Sequence, residues 1–271
     1  MKRHLKVIAN IFLTSIALSI LLGSFLRILG PINQRYRINK GINITGKSRR
    51  SVKKELLTRK SNLLSLYNDK LENFERLEKL INKWENHIIK NPGLDVSAFF
   101  ISLDDQVYAE IKSDIKLSAA SSIKVPILII LLRMLEKEEI IWNEKLILSE
   151  DVIGGGSGWM AYQEIGEIFP VYEVASEMIR VSDNTATNLL IKRLGGIKIV
   201  NQKFKEIGLN NTQINNYLPD LDGTNLTSTK DLSLAMALVD NGYLLNVSSR
   251  DIFREIMRKS KTNTLIPSGI L

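Results

Sequence analysis

Residues 119–126 read AASSIKVP, a stretch in which a serine and a lysine, Ser121 and Lys124, lie three positions apart. In a helix this spacing places the two side chains on one face, one turn apart. A hydroxyl beside an amine is a nucleophile next to a candidate base. The stretch therefore predicts a nucleophile and its base in the first turn of a helix.

The Ser-x-x-Lys spacing occurs three times, beginning at Ser51, Ser113 and Ser121. The first match lies in a run of charged residues, and the second precedes no apolar segment. Only Ser121 opens a strongly apolar stretch, residues 125–135, which predicts a buried helix that holds its first turn rigidly. Ser121 is therefore the candidate nucleophile.

A second motif, Ser-Asp-Asn at residues 182–184, occurs once, between two segments with helix-like patterns at 171–181 and 185–194. Ser-x-x-Lys, Ser-Asp-Asn and Lys-Thr-Gly together are the signature of class A β-lactamases and penicillin-binding proteins. The chain resembles that family over about residues 93–271, with the first two motifs in the right order. The alternative interpretation is two unrelated serine-rich helix starts in a globular domain.

The resemblance implies an α/β (α+β) fold of the β-lactamase and transpeptidase type, an antiparallel sheet covered by helices. It implies that Ser121 forms an acyl-enzyme with a β-lactam or a D-alanyl peptide, and that Lys124 is its base. Ser182 would relay a proton to the leaving nitrogen, Asn184 would bind the substrate amide and Lys124, and Asp183 would brace the loop. The resemblance implies no metal and no cofactor.

The third motif is missing from this sequence. No Lys-Thr-Gly follows residue 182, and the nearest string, at 261–263, is Lys-Thr-Asn. Residues 265–271, LIPSGIL, resemble the segment that leads into the third motif, so we expect the chain to stop just short of it, with an incomplete sheet. In the family this motif supplies a second cation beside Lys124 and a second oxyanion-hole donor. We therefore expect weak or no β-lactamase activity.

Residues 216–222, NYLPDLD, resemble the loop on which class A β-lactamases carry the glutamate that activates the deacylating water. Leu218 stands where that glutamate is expected. Asp220 or Asp222 is a candidate replacement, and the alternative is that both only cap turns. Without an acid here, the acyl-enzyme would hydrolyse slowly, as in penicillin-binding proteins.

Composition excludes several other mechanisms. Cysteine is absent, so neither a disulfide nor a thiolate nucleophile can form. The two histidines, His4 and His87, leave no Ser-His-Asp triad and no histidine-rich zinc site. The net charge of +8 arises in residues 1–60, which carry 14 Lys and Arg against one Glu. The remaining residues are mildly acidic, so we expect no nucleic-acid partner.

Residues 7–26 carry no charge, and a helix of this length spans roughly 30 Å, the thickness of a bilayer core. We interpret this segment as a transmembrane anchor, and a cleaved signal peptide is the alternative. The flanking charges do not set the orientation, and only the resemblance places the domain on the extracytoplasmic (periplasmic) side. The predicted domains are an anchor at 1–30, a basic linker and amphipathic helix at 31–90, and the truncated β-lactamase-like domain at 91–271.

Periodicity predicts the remaining elements. Apolar residues recur at helical spacing from Leu64 to Ile88, residues 94–103 and 106–111 predict a hairpin, and residues 229–242 predict a late helix. The glycine-rich residues 154–158 are expected to form a flexible surface loop. Two rival interpretations stay open: a non-catalytic, membrane-anchored module that binds cell-wall peptide or a protein partner, and a truncated fragment that does not fold stably.

Overall fold

A computed structural model describes residues 71–261. In chain order the strands and helices are β1 (Glu75–Arg76), α1 (Glu78–Ile89), β2 (Ala98–Ser102), β3 (Val107–Ile111), β4 (Leu117–Ser118), α2 (Lys124–Glu136), β5 (Lys145–Ile147), β6 (Ile168–Pro170), α3 (Val171–Arg180), α4 (Asn184–Arg193), α5 (Gly196–Glu206), β7 (Leu226–Thr227), α6 (Thr229–Asp240) and α7 (Val247–Arg258). A 3₁₀ turn, Ala120–Ile123, directly precedes α2.

The predicted hairpin is confirmed as β2 and β3, which pair antiparallel with Phe100 opposite Ala109. Both strands are rich in aromatic and aliphatic residues that suit a pleated, half-buried surface. Within the described residues, β1 adds a parallel neighbour to β3, so the sheet has the order β1-β3-β2. Helix α6 packs on β2 and α1 packs on β3. The α/β class is therefore confirmed, while the parallel strand β1 was not predicted.

The prediction of one amphipathic helix beginning at Leu64 is wrong for the residues just before α1. Glu75 and Arg76 form a strand, and the backbone N–H of Glu75 donates to the carbonyl of Gln106 at 2.9 Å. Leu77 likewise donates to Tyr108, at 2.8 Å. Pairing with the open edge of β3 satisfies these backbone groups, and α1 begins only at Glu78.

Helix α2 is the centre of the core. Its residues 127–132 are each at most 1% exposed. The helix contacts α3, α4, α5, α6 and α7, which explains why its sequence is apolar on every side. The helix predicted from residues 125–135 is confirmed. Because α2 is enclosed by other helices, the 3₁₀ turn at its N-terminus has little freedom to move.

A short ladder fixes the chain on the other side of that turn. Strands β4 and β7 pair antiparallel, and the N–H of Ala119 donates to the carbonyl of Asn225 at 2.7 Å. Helix α6 begins directly after β7 with Ser228 as its N-cap, since the Ser228 hydroxyl accepts from the N–H of Asp231 at 3.1 Å. The segment that leads into Ser121 is therefore held from both directions.

Several predictions fall outside residues 71–261 and stay predictions. They concern the anchor at residues 7–26, the first match at Ser51, the Lys-Thr-Asn string after Lys261, and residues 265–271, on which the incomplete sheet depends. The domain bounds at residues 30 and 90 are also untested. Among the described helices, none is both long enough and apolar enough to cross a membrane.

Candidate active site

The structure places Ser121 and Lys124 side by side. Ser121 is exposed in the 3₁₀ turn, and Lys124 is the first residue of α2 and only 2% exposed. Residues three apart are eclipsed in a 3₁₀ turn, which brings both side chains to one side. Lys124 Nζ lies 3.3 Å from Ser121 Oγ. A solvent-accessible hydroxyl therefore contacts a buried amine.

Ser182 and Asn184 complete the cluster. Lys124 Nζ donates to the backbone carbonyl of Ser182 at 2.6 Å, to Ser182 Oγ at 2.8 Å and to Asn184 Oδ1 at 2.9 Å. Ser182 Oγ in turn donates to Ser121 Oγ at 2.8 Å. Lys124 Nζ thus lies within hydrogen-bond distance of the other three residues that the sequence singled out, and two of those, Ser121 and Ser182, also bind each other.

The backbone of Ser182 adopts an unusual conformation that makes this contact set possible. Its φ is +59°, in the left-handed region that residues other than glycine rarely adopt. In this conformation the carbonyl and the hydroxyl of one residue both accept from Lys124 Nζ. Backbone strain of this kind is concentrated at functional sites.

Burial lowers the pKa of Lys124 from its ordinary value to about 8, and the nearby Asp183 carboxylate opposes part of that shift. Removing an ammonium group from water disfavours the charged form. With a pKa of about 8, roughly one molecule in ten has a neutral Lys124 amine at pH 7. A neutral amine can accept a proton from a hydroxyl, so this environment suits a general base.

Asp183 is fully buried and braces the site, as predicted. Its carboxylate accepts from the backbone N–H groups of Trp159 at 2.7 Å and Met160 at 2.9 Å. It also caps α4, because its other oxygen accepts from the N–H of Ala186 at 2.8 Å. Asp183 therefore fixes the start of α4 and a neighbouring segment without contacting Ser121 or Lys124.

That neighbouring segment is residues 154–159, called here the glycine loop. Gly155 and Gly156 are exposed, as expected of a surface loop, but the loop's backbone also binds the Ser-Asp-Asn motif, which was not predicted. The N–H of Gly154 donates to Thr185 Oγ1 at 2.9 Å, and Asn184 Nδ2 donates to the carbonyl of Gly155 at 2.9 Å. A Cβ on Gly158 would lie 2.0 Å from Asp183 Oδ2. Glycine is required where backbone approaches a neighbour this closely.

The segment around Leu218 is held by its backbone. Asn188 Oδ1 accepts from the N–H of Leu218 at 2.8 Å, and Asn188 Nδ2 donates to the carbonyl of Leu218 at 2.7 Å. The Leu218 side chain is buried in the hydrophobic core. Sequence reasoning missed Asn188, although it lies four residues after Asn184 and so on the same helix face.

Asp220 and Asp222 do not have the environment of a general base. The Asp220 carboxylate accepts from Thr224 Oγ1 at 2.9 Å and from the N–H of Asn225. Burial alone would raise the pKa of Asp220, but these hydrogen bonds outweigh it and lower the pKa below its ordinary value. Asp222 is exposed on a turn. The structure thus favours the interpretation that Asp220 stabilises a turn.

Ser113, the second Ser-x-x-Lys match, is unsuited to nucleophilic attack. It is 4% exposed, and its hydroxyl donates to the Glu110 carboxylate. Its backbone carbonyl accepts from the N–H of Lys230 at 3.2 Å. Ser113 therefore connects β3 to α6.

With this geometry established, comparison with known proteins identifies the family. Residues 76–271 match the model of the beta-lactamase enzyme family. The chain belongs to this family. It is similar to β-lactamase BRO-1 of Moraxella catarrhalis, with 26% identity over 202 residues that cover 70% of this chain and 62% of that protein. It is also similar to β-lactamase ROB-1 of Haemophilus influenzae, with 35% identity over 83 residues that cover 30% and 27% of the two chains. The chain thus spans less than two thirds of either relative.

Solved structures agree with this assignment. The structure of PBP-A has 39% identity and a TM-score of 0.70, with 72% of this chain and 74% of that chain covered. A leucine-to-glutamate mutant of PBP-A, described as an acyl-enzyme complex with penicillin G, has 38% identity over the same shares and the same TM-score. An ancestral class A β-lactamase has a TM-score of 0.60 but 17% identity, with 68% and 72% covered, and so shows the fold alone.

Proposed function

We propose that this protein forms an acyl-enzyme at Ser121 with β-lactams or D-alanyl peptide amides. The observation that carries the proposal is the set of contacts among Ser121, Ser182 and the buried Lys124, whose pKa is lowered to about 8. A serine hydroxyl needs an adjacent base to become an effective nucleophile. Lys124 lies in the position and environment of such a base.

The chemistry divides among three side chains. Neutral Lys124 takes the proton of Ser121 Oγ, and the oxygen attacks the amide carbonyl carbon of the substrate. The carbon–nitrogen bond then breaks, and Ser182 Oγ donates its proton to the leaving nitrogen and regains one from Lys124. The backbone N–H of Ser121, in the turn that opens α2, is one donor to the developing oxyanion. No metal or cofactor takes part in these steps.

The acyl-enzyme is expected to hydrolyse slowly. Leu218 lies where the resemblance places the acid that activates the deacylating water, and its side chain is buried among apolar residues. The Asp220 carboxylate accepts hydrogen bonds within a turn, and its lowered pKa makes it a weaker base. The protein therefore suits the role of a penicillin-binding serine acyltransferase better than that of a fast β-lactamase.

A non-catalytic module of the same fold is the alternative function. The observation that favours it is the apolar, buried side chain of Leu218, which lies where the resemblance places the deacylating acid. Such a module would bind cell-wall peptide or a protein partner through the same surface without forming a covalent bond. Covalent labelling separates the two functions.

We also propose that residues 7–26 anchor the protein in the membrane, with residues 71–261 on the extracytoplasmic side. The support is the uncharged length of that segment and the extracytoplasmic location of the wall peptides on which this chemistry would act. After alkaline carbonate washing, the protein should stay in the membrane fraction, and external protease should degrade it in spheroplasts. Recovery in the soluble fraction would contradict the anchor.

Ser121 should be the residue that penicillin acylates. Fluorescent penicillin incubated with the full chain in detergent should give a covalent adduct on the peptide that contains Ser121, as mapped by mass spectrometry. Ser121→Ala should abolish the adduct, because among residues 71–261 Ser121 is the serine that presents an exposed hydroxyl to Lys124. Ser51→Ala, which removes the Ser-x-x-Lys spacing at residues 51–54, outside the described residues, should leave the adduct intact. Absence of any adduct on folded wild-type protein would favour the non-catalytic module.

The rate of acylation should follow the deprotonation of Lys124. Below pH 8 the amine is mostly protonated, so the rate constant should rise about tenfold per pH unit and level off above about pH 8. The measurement is the single-turnover labelling rate between pH 6 and 9.5, with unfolding monitored in parallel. A flat profile over that range would show that Lys124 is not the base.

Leu218→Glu should shorten the lifetime of the adduct. A carboxylate at this position would activate water for deacylation, and general bases typically contribute 10²-fold to 10⁴-fold, so we expect at least about tenfold faster release. Leu218→Gln is the matched control, since it has similar size and polarity but no base. The measurement is the loss of fluorescence after excess penicillin is removed. Equal lifetimes in the two variants would refute the role of position 218.

A further inference from the structure

The orientation of the Asn184 side-chain amide depends on the glycine loop. Asn184 Nδ2 donates to the carbonyl of Gly155 at 2.9 Å, which turns Oδ1 towards Lys124 Nζ, also at 2.9 Å. The backbone N–H of Asn184 donates to the carbonyl of Ser157 at 3.1 Å. If the loop moved away, Asn184 Nδ2 would lose its acceptor, and the side-chain amide would no longer be held with Oδ1 facing Lys124. Lys124 would then lose one of its hydrogen-bond acceptors.

Trp159 fastens the end of this loop through both its backbone and its side chain. Its backbone N–H binds Asp183, and its indole Nε1–H donates to Glu177 Oε2 at 2.6 Å. The indole ring also packs edge-on against Phe169, with centroids 5.8 Å apart. Rotation of the side chain would break the indole hydrogen bond and the ring contact together.

Glu177 is held in place to receive the indole. It is 8% exposed on α3, and Arg180 donates to both of its carboxylate oxygens, at 2.7 and 2.6 Å. The hydrogen bonds from Arg180, with a smaller contribution from Trp159, lower the pKa of Glu177 below its ordinary value, so it stays an acceptor at neutral pH. Bidentate pairing with arginine also fixes the plane of the carboxylate.

We propose that Glu177 is a positioning residue for acylation: through the Trp159 indole it holds the glycine loop against Asn184, and so keeps the Asn184 carbonyl on Lys124. This inference rests on the proposed function. Glu177 contacts neither Ser121 nor Lys124, and its effect passes through hydrogen bonds of the loop. The competing interpretation is that the Glu177–Arg180 pair only stabilises α3.

The test uses three single variants and one double variant of the Trp159–Glu177 hydrogen bond, called here the latch, in the full chain. Trp159→Phe removes the indole donor but keeps an aromatic ring, and Glu177→Met removes the acceptor at similar size. Each should slow acylation by fluorescent penicillin about tenfold, since small displacements of a positioned group lower rates strongly. The double variant should be no slower than either single variant, because both changes break one connection. Glu177→Gln keeps an oxygen for the indole and should stay within about twofold of wild type.

The pH profile separates positioning from stability. Within the part of the chain that the structure describes, the polar and charged groups that act on the Lys124 amine are Asp183, Ser121, Ser182 and Asn184. Loss of the Asn184 acceptor destabilises protonated Lys124, so the midpoint of the labelling profile should move to lower pH in Glu177→Met. A purely stabilising role would lower the unfolding temperature and leave this midpoint unchanged.

Glu144→Gln is the matched control. Glu144 forms a comparable part-buried pair with Arg193 in which both carboxylate oxygens accept, and the pair lies outside the cluster around Lys124. This variant should lose stability but keep the rate and the pH midpoint of labelling. Wild-type labelling in Trp159→Phe and Glu177→Met, or equal losses in Glu177→Met and Glu144→Gln, would overturn the proposal.

If the wild-type chain forms no adduct, the proposed function fails, and hydrogen exchange still decides whether the latch exists. The backbone amides of Trp159 and Met160, which both donate to Asp183, should exchange about tenfold faster in Glu177→Met than in wild type or in Glu144→Gln. Unchanged exchange at these two amides would show that Glu177 does not hold the loop. Faster exchange would support the latch as a property of this fold.

Discussion

The burial of Lys124 is the constraint on which the rest of the site depends. An ammonium group removed from water needs hydrogen-bond acceptors, and those available here come from Ser121, Ser182 and Asn184. Three of these contacts lie on one short turn, so that turn must meet the start of α2 closely. The left-handed backbone of Ser182 is the local consequence, because it directs the carbonyl and the hydroxyl of one residue at the same amine.

Two layers of structure keep that turn in place. The first is the hydrophobic contact of α2 with α3 and α4, the helices on either side of the turn. The second is polar: Asp183 binds the glycine loop, and the loop's carbonyls bind Asn184. Hydrophobic packing sets the distance between helices but does not select the orientation of an amide. The polar layer fixes the orientation of the Asn184 amide, on which the proposed proton transfer depends.

The sequence predicts the parts of this fold that depend on local pattern. Local structure is specified by the apolar run at 125–135, by the alternation in the hairpin and by the two motifs. The structure accordingly contains α2, β2 and β3. The strand at Glu75–Arg76 could not be predicted, because the apolar residues around it recur at helical spacing. The segment is extended only because it pairs with the open edge of β3. The contacts of the glycine loop could not be predicted for a similar reason, since glycines are typical of both mobile loops and close backbone approach, and only the position of Asp183 reveals the close approach.

The segment around Leu218 separates what the fold requires from what the proposed reaction requires. Asn188 holds this segment through the N–H and carbonyl of Leu218, which every residue except proline possesses. These two hydrogen bonds therefore do not require a particular side chain at position 218. A glutamate at this position would present the same backbone groups to Asn188, and in the proposed function its carboxylate would activate the water that attacks the acyl-enzyme. In the proposed function, acylation depends on packed helices and on the turn at Ser182, whereas deacylation depends on one side chain that the backbone hydrogen bonds do not specify.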